Sequence, residues 1–325
     1  MYHRIIVPLD GTAFSEYALP WALRLAERSG ANLELCHVHV HQDRNPDFAA
    51  LTPYQFQHCV DAEYEFDAEA VEREAAVLED VAARLREETS VVVTTRSLYG
   101  RVDGAIRHEA ESAVADLVVM ATHARSGFAR VRLGSVADRL VHSLNIPLLL
   151  LQPVEGAPPP EFRGFRRVLI PLDGSPFSEQ VLERSIPLLK AAGGTPVLLH
   201  VVAPMLGPAR RTGVPADGRT IQRREDAVAY LETQARALMA EGLEPEIRAV
   251  VDRSAASAIL NEAGQDDLDA LVMATHGRGG MTRLLVGSVA DQVLRQCRKP
   301  IMLYRPQPVG TPRPELQDAF IIYGH

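Results

Sequence analysis

The 325-residue chain has only three cysteines, Cys36, Cys59 and Cys297, and no two of them are spaced as Cys-x-x-Cys. The sequence therefore suggests neither a disulfide framework nor a zinc site. The longest apolar runs, such as residues 148–151, are far too short to span a bilayer. The first residues enter a predicted strand at once and lack the layout of a signal peptide. We therefore expect a cytoplasmic protein without a membrane-spanning segment.

Basic charge and several well-known motifs are also missing. The formal net charge is -8, whereas a general nucleic-acid binder needs a basic surface. The chain has no Gly-x4-Gly-Lys-Ser/Thr, no Gly-x-Gly-x-x-Gly after a strand and no Gly-x-Ser-x-Gly. These absences disfavour a P-loop ATPase, a dinucleotide oxidoreductase and an α/β-hydrolase. Because no nucleophile with a base can be named, we expect no efficient enzyme.

What the sequence does contain is one long internal repeat. Residues 5–16 return 163 positions later as residues 168–179, and Gly134-Ser135 returns 153 positions later as Gly287-Ser288. A period of this length indicates two whole domains rather than a solenoid. The predicted divisions are a first domain (1–152), a Pro-rich linker (153–165), a second domain (166–306) and a C-terminal tail (307–325).

Each copy reads as alternating buried strands and amphipathic helices. This pattern favours an open five-stranded parallel sheet with helices on both faces, in the doubly wound order 3-2-1-4-5. In the first copy we predict a helix over 14–28, a loop over 41–60, a helix over 61–88 and a strand over 90–96. The fold class is therefore α/β, present twice.

Two features converge on one crevice in each copy. Asp10 and Asp173 end the first strand, and a segment ending in Gly-Ser follows the fourth. In the predicted order these strands flank the switch point, where ligands of such sheets bind. A helix that begins at Gly-Ser offers unpaired amides to an anion. The alternative for both aspartates is a structural one, because Asp before Gly-Thr or Gly-Ser favours a turn.

The histidines are most simply interpreted as structural residues. His123 and His276 follow the fourth strand of each copy without an acidic or cysteine partner at a motif spacing, so we expect loop hydrogen bonds rather than catalysis. His37, His39 and His41 alternate along the second strand. We interpret them as ordinary strand residues rather than metal ligands.

The ordered motifs resemble the universal stress protein family. They are strand-Pro-x-Asp-Gly at the start, His-Val in the second strand, and a small residue-x-x-Gly segment that leads to Gly-Ser after the fourth. The resemblance covers most of both halves. It implies an open α/β fold and, for tandem members, two domains packed as a pseudo-dimer through their fifth strands, here residues 146–151 and 301–304. It also allows two chains to form a homodimer.

One branch of that family binds ATP and another does not. Carried over by position, the resemblance implies a second-domain ATP site with Asp173 at the adenine end and the Gly-Ser segment at the phosphates, where a magnesium ion can accompany them. The implied second-domain residues are Pro171, Asp173, Val201, Met273, Ala274, Gly277, Arg278, Gly287, Ser288 and Val289. The implied first-domain residues are Pro8, Asp10, Val38, Met120, Ala121, Ala124, Gly134, Ser135 and Val136.

Departures from the family's glycine pattern indicate which of the two sites should bind ATP more tightly. Ala274 replaces one loop glycine in the second copy, whereas Ala121 and Ala124 replace two in the first. A Cβ at a position of positive φ or of close ligand approach weakens binding. We therefore predict that the second domain is the better ATP site of a stress-response sensor or regulator. Two alternatives stay open: an interaction scaffold without nucleotide, and a very slow ATPase.

Overall fold

The structure is a computed structural model, and it describes residues 1–40, 53–122, 133–153, 164–204, 216–276 and 286–307. Of residues 53–67, 216 and 217 it describes the backbone alone. The Pro-rich segment 154–163 and the tail from 308 onward lie outside the described residues.

The first half alternates strands and helices as the sequence predicts. Its strands are β1 (Arg4–Pro8), β2 (Asn32–His39), β3 (Val93–Tyr99), β4 (Leu117–Ala121) and β5 (Leu148–Leu151). Its helices are α1 (Ala13–Glu16), α2 (Leu19–Ser29), α3 (Pro53–Glu88), α4 (Val102–Ser112) and α5 (Ser135–Ser143).

The second half repeats this arrangement with a single helix in place of α1 and α2. Its strands are β6 (Arg167–Pro171), β7 (Thr195–Val202), β8 (Glu246–Val251), β9 (Ala270–Ala274) and β10 (Ile301–Tyr304). Its helices are α6 (Pro176–Ala192), α7 (Ala216–Ala240), α8 (Ala255–Ala263) and α9 (Ser288–Gln296).

All ten strands form one continuous sheet in the order β3-β2-β1-β4-β5-β10-β9-β6-β7-β8. Each half therefore has the predicted order 3-2-1-4-5, with parallel pairing throughout. At the centre β5 and β10 pair antiparallel, with Leu149 opposite Met302. The two fifth strands, through which a pseudo-dimer was predicted, are thus adjacent in the sheet.

Apolar side chains cover both faces of the sheet, as expected for parallel strands. Every residue of β4, β5, β9 and β10 is buried. Successive residues of β1 alternate between the two cores, since Ile5 and Val7 face one and Ile6 the other. Each core contains residues of both halves, so the hydrophobic layers run across the junction of the domains.

Two of the predicted elements were wrong in extent. The helix predicted over 14–28 is divided into α1 and α2, because Pro20 has no amide hydrogen to donate to the carbonyl of Glu16. The loop predicted over 41–60 ends earlier, since α3 already begins at Pro53. Proline is favoured at the first helical position because its missing N–H is not needed there.

The edge strand β3 also differs from the prediction of a strand over 90–96. It covers Val93–Tyr99 and pairs with β2 from Leu33 to His39. Its extent follows the length of its partner rather than its own run of valines.

A second contact joins the halves on one face of the sheet. Phe165 is fully buried and stacks on Trp21 of α2, with 5.4 Å between ring centroids. Nearby, α2 packs on α6. Within the described part of the chain, no helix is both long and apolar enough to cross a membrane.

Candidate functional site

A cavity of about 1060 Å³ lies mainly in the second domain. It opens at the carboxyl ends of β6, β7 and β9 and reaches the start of α9. This is the point at which the strand order reverses, where a ligand was predicted to bind. Eight predicted site residues line it: Pro171, Asp173, Val201, Met273, Ala274, Gly287, Ser288 and Val289. The other two, Gly277 and Arg278, lie outside the described residues.

Asp173 is held at the cavity by the turn that leads into α6. Its Oδ1 accepts hydrogen bonds from the backbone N–H of Ser175 at 2.9 Å and from the Ser175 hydroxyl at 2.6 Å. Ser175 is also the N-cap of α6, because its hydroxyl accepts from the Ser178 amide at 3.2 Å. Asp173 therefore does stabilise the turn, as the structural alternative predicted. The same hydrogen bonds fix the orientation of its carboxylate, which lines the cavity.

The start of α9 forms the opposite wall. Gly287 is the N-cap, with φ -58° and ψ 145°, and as a glycine it provides no side-chain cap. Its N–H donates to the carbonyl oxygen of Thr275 at 2.8 Å. A Cβ at this position would lie 3.2 Å from that same oxygen. Glycine is thus favoured here by the close approach of two backbone segments, not by an unusual φ.

Tyr230 of α7 packs against His200, which lines the second-domain cavity. Its ring meets His200 edge to face at 5.5 Å, and its hydroxyl donates to Glu179 at 2.9 Å. Burial, together with the Glu179 carboxylate, raises the pKa of Tyr230, so the phenol stays protonated as a hydrogen-bond donor. The corresponding residue in α3 of the first domain, by the 153-residue shift, is Val77.

The first domain has a smaller cavity of about 320 Å³ at the equivalent position. Its lining includes Pro8, Asp10, Val38, Met120, Ala121, Gly134, Ser135 and Val136, besides other residues of the first domain. All eight named residues are predicted site residues, whereas Ala124 lies outside the described residues. Here the Gly134 N–H donates to the side-chain Oγ1 of Thr122 at 3.3 Å instead of to a backbone carbonyl. A neighbouring cavity of about 230 Å³, lined by Val77 among others, adjoins Asp10.

Asp10 makes the same turn as Asp173. Its Oδ1 accepts from the Thr12 amide at 3.0 Å and from the Thr12 hydroxyl at 2.6 Å. Burial raises the pKa of Asp10, but hydrogen bonds from Thr12 and Ser15 outweigh it and leave that pKa below its ordinary value. The ionised form is therefore favoured by folding.

Replacing Asp10 by Asn should make unfolding easier at neutral pH but not in acid. A folded-state pKa below the unfolded value gives stability that is present above the unfolded pKa and lost as the pH falls through the folded pKa. Solvent screens this exposed turn, so we expect a difference of at most about 1 kcal/mol. Urea unfolding of both proteins from pH 7 to pH 3 measures it. A difference that grew in acid would contradict this sign.

The described histidines of these segments make hydrogen bonds. His276 Nδ1 lies 2.9 Å from the Thr275 hydroxyl, the local loop contact that was predicted, and His123 lies outside the described residues. Glu74 of α3 contacts two residues of β2, His37 at 3.3 Å and His39 at 2.8 Å. No group of three or more potential ligands in the described ranges is arranged to hold a metal ion.

Sequence reasoning missed four polar residues that line the far end of the second-domain cavity. They are Asp138 and His142 from α5 of the first domain, and Asp291 and Arg295 from α9. Arg295 Nη2 lies 3.8 Å from Asp138, across the junction of the domains. The repeated Ser-Val-Ala-Asp segment could have drawn attention to the aspartates. Their meeting across the junction follows only from the pairing of β5 with β10.

Two doubly wound α/β domains in one chain, each with a crevice at the reversal of its strand order, define the class of protein. Comparison with known families then identifies it. A sequence model of the universal stress protein family matches residues 1–152 and 164–305, so the chain belongs to that family.

Relatives share the tandem length. A universal stress protein of Mycolicibacterium smegmatis is 28% identical over 316 residues, covering 93% of this chain and 97% of the relative. Universal stress protein Slr1230 of Synechocystis is 22% identical and covers 93% and 99%. The crystal structure of a universal stress protein from Archaeoglobus fulgidus superposes with a TM-score of 0.62 at 18% identity, covering 93% of this chain and 98% of that one. At this identity the last comparison supports the fold alone.

Proposed function

We propose that this chain is a tandem universal stress protein that binds ATP in its second domain and acts as a stress-response sensor or regulator. One observation carries the proposal. A single cavity of about 1060 Å³ brings Asp173 together with the uncapped start of α9. Nucleotide-sized ligands occupy pockets of roughly 300–1,000 Å³. Membership of the family supports the stress-response role.

The residues of the cavity suit the two ends of a nucleotide. The Asp173 carboxylate accepts from an adenine amino group or a ribose hydroxyl. The amides at Ser288 and Val289, with the positive end of the α9 dipole, suit the phosphates. Among the described N-terminal caps, the side-chain oxygens of Thr12, Ser175 and Ser254 accept hydrogen bonds from helix amides, whereas Gly287, like Gly134, has no side chain to do so. The start of α9 is thus left for an external anion. A magnesium ion, where bound, would neutralise phosphate charge.

The cavity sizes also favour the second domain over the first. The first-domain cavity, at about 320 Å³, is at the lower limit for a nucleotide. We therefore propose that ATP occupies the first domain weakly or not at all. A homodimer and a cytoplasmic location remain predictions, which light scattering and cell fractionation can test.

The direct test is to denature the purified protein and identify the released nucleotide, followed by calorimetric titration with ATP and magnesium. Asp173→Asn is the informative variant, because Asn keeps the turn to Ser175 while removing the carboxylate. We expect it to weaken ATP binding about tenfold, with a loss of stability like that of Asp10→Asn, at most about 1 kcal/mol. The matched variant Asp10→Asn should leave the dominant affinity unaltered.

Three results would count against the proposal. Absence of bound nucleotide together with no thermal shift in ATP would point to a scaffold without nucleotide. Equal losses in the two variants would remove the preference for the second domain. Recovery of ADP with continuing phosphate release would indicate slow hydrolysis instead of binding alone.

A further inference from the structure

The cavity of the second domain crosses the junction between the domains. Asp138 and His142, both on α5 of the first domain, line it together with Asp173 and Ser288. No residue of the second domain lines the first-domain cavity of about 320 Å³, as far as the described residues go. The two sites therefore differ in composition: one is built by its own domain, and the other includes a helix of its neighbour.

Arg295 is the group that joins the domains at this end of the cavity. Its guanidinium contacts Asp291, one turn earlier in α9, with Nη2 at 2.7 Å and Nε at 2.9 Å from Oδ1. The same guanidinium lies 3.8 Å from Asp138 of the first domain. Hydrogen bonding to Asp291, with the nearby Asp138 charge, raises the pKa of Arg295. Arg295 is thus a permanent cation shared between two carboxylates.

The helical geometry directs this cation towards the phosphate end. Ser288, Asp291 and Arg295 are spaced by three and four residues, so they share one face of α9. Long side chains in a helix point back towards its N-terminus, which here is the uncapped end at Gly287. Arg295 is 36% exposed and lines the cavity.

Among the described side chains at this end of the cavity, the balance of charge opposes phosphate unless Arg295 changes partner. Asp138 and Asp291 supply two negative charges against one guanidinium. His142 occupies the position equivalent to Arg295 in the first copy, and its Nδ1 donates to the Asp138 carbonyl oxygen at 2.5 Å. In the described part of the chain, His142 makes no ion pair with Asp291. Only one of the two equivalent cross-domain pairs, Arg295 with Asp138, is therefore present.

We propose that the first domain regulates the nucleotide site of the second through Asp138, which competes with the nucleotide's phosphates for Arg295. This inference rests on the proposed ATP site. Asp138 is a positioning residue, because it acts on the ligand through Arg295. Binding of a triphosphate draws Arg295 from Asp138 and so weakens a contact between the domains, while a monophosphate leaves that contact intact.

Calorimetric titration of the full chain with ATP and with AMP tests the competition. Asp138→Asn should raise the affinity for ATP about three- to tenfold, because one competing carboxylate is removed. AMP affinity should stay unchanged. Arg295→Gln should lower ATP affinity about tenfold, and in that background Asp138→Asn should give no gain. Glu79→Gln is the control, since Glu79 is another first-domain carboxylate paired with an arginine, Arg86, and lies away from the cavity.

The outcomes separate this inference from the proposed function. If wild type binds ATP but Asp138→Asn behaves like Glu79→Gln, the regulation fails and the ATP site stands. A gain shared equally by AMP, or one that persists without Arg295, also overturns the competition. A wild-type chain that binds neither nucleotide overturns both proposals.

Discussion

Replacing Gly287 by valine should abolish most nucleotide binding by this protein. A Cβ added at this position would lie 3.2 Å from the Thr275 carbonyl oxygen, and valine would add two further methyl groups. The hydrogen bond from the Gly287 N–H to the Thr275 carbonyl must then break. This moves the helix amides away from the phosphates. We expect a loss of about 100-fold in ATP affinity, equivalent to roughly 2.8 kcal/mol. Because φ is -58°, valine is compatible with the backbone, so the fold should persist.

Two companion variants make the result specific. Gly287→Ala should cost only about three- to tenfold, since Thr275 needs to shift by a few tenths of an ångström. Gly134→Val is the matched change in the first domain, where φ is -57° and the N–H meets a side chain instead. Calorimetry with ATP compares all three. An equal loss from Gly134→Val would show that the first domain, too, holds the ligand.

Truncating Phe165 to alanine should cause the largest loss of stability, about 3–5 kcal/mol. The ring is 0% exposed and stacks on Trp21 at 5.4 Å, so its removal leaves a cavity between the halves. Aromatic pairs add roughly 0.5–1.5 kcal/mol beyond their buried area. Urea unfolding measures the change. Trp21 is the chain's only tryptophan, so its fluorescence reports this junction directly.

The control for that variant is Phe165→Leu, which keeps most of the apolar volume and should lose less than half as much. We also expect the emission of Trp21 to shift to longer wavelength in Phe165→Ala, as water reaches the indole. An alanine variant that unfolded at the urea concentration of wild type would show that this contact does not hold the halves together.

Much of the fold could be predicted because it depends on local patterns repeated twice. Apolar runs such as that of β9 and the helical periods between them predict alternating strands and helices in a doubly wound parallel sheet, which the structure confirms. The errors have local causes. Pro20 interrupts a helix whose hydrophobic pattern continues across it. Pro53 begins a helix where aromatic residues and a preceding polar stretch suggested a loop.

The candidate site was predictable within each domain and not between them. Asp173 and Gly287 could be assigned to one crevice, because the switch point of a doubly wound sheet is known once its strand order is known. Glu74 near His39, and Arg295 near Asp138, depend on how a long helix lies on the sheet and on which strand edges join. Neither is encoded in a spacing.

The antiparallel junction of β5 and β10 has a consequence for symmetry. In a dimer of identical chains, a two-fold axis forces the same residue into both copies of every position. Here the halves belong to one polypeptide, so the position that holds Arg295 on one side holds His142 on the other. Covalent linkage keeps the two halves at a high effective concentration and frees them to differ. An interface that would otherwise be symmetric can thereby place an ion pair beside only one of its two sites.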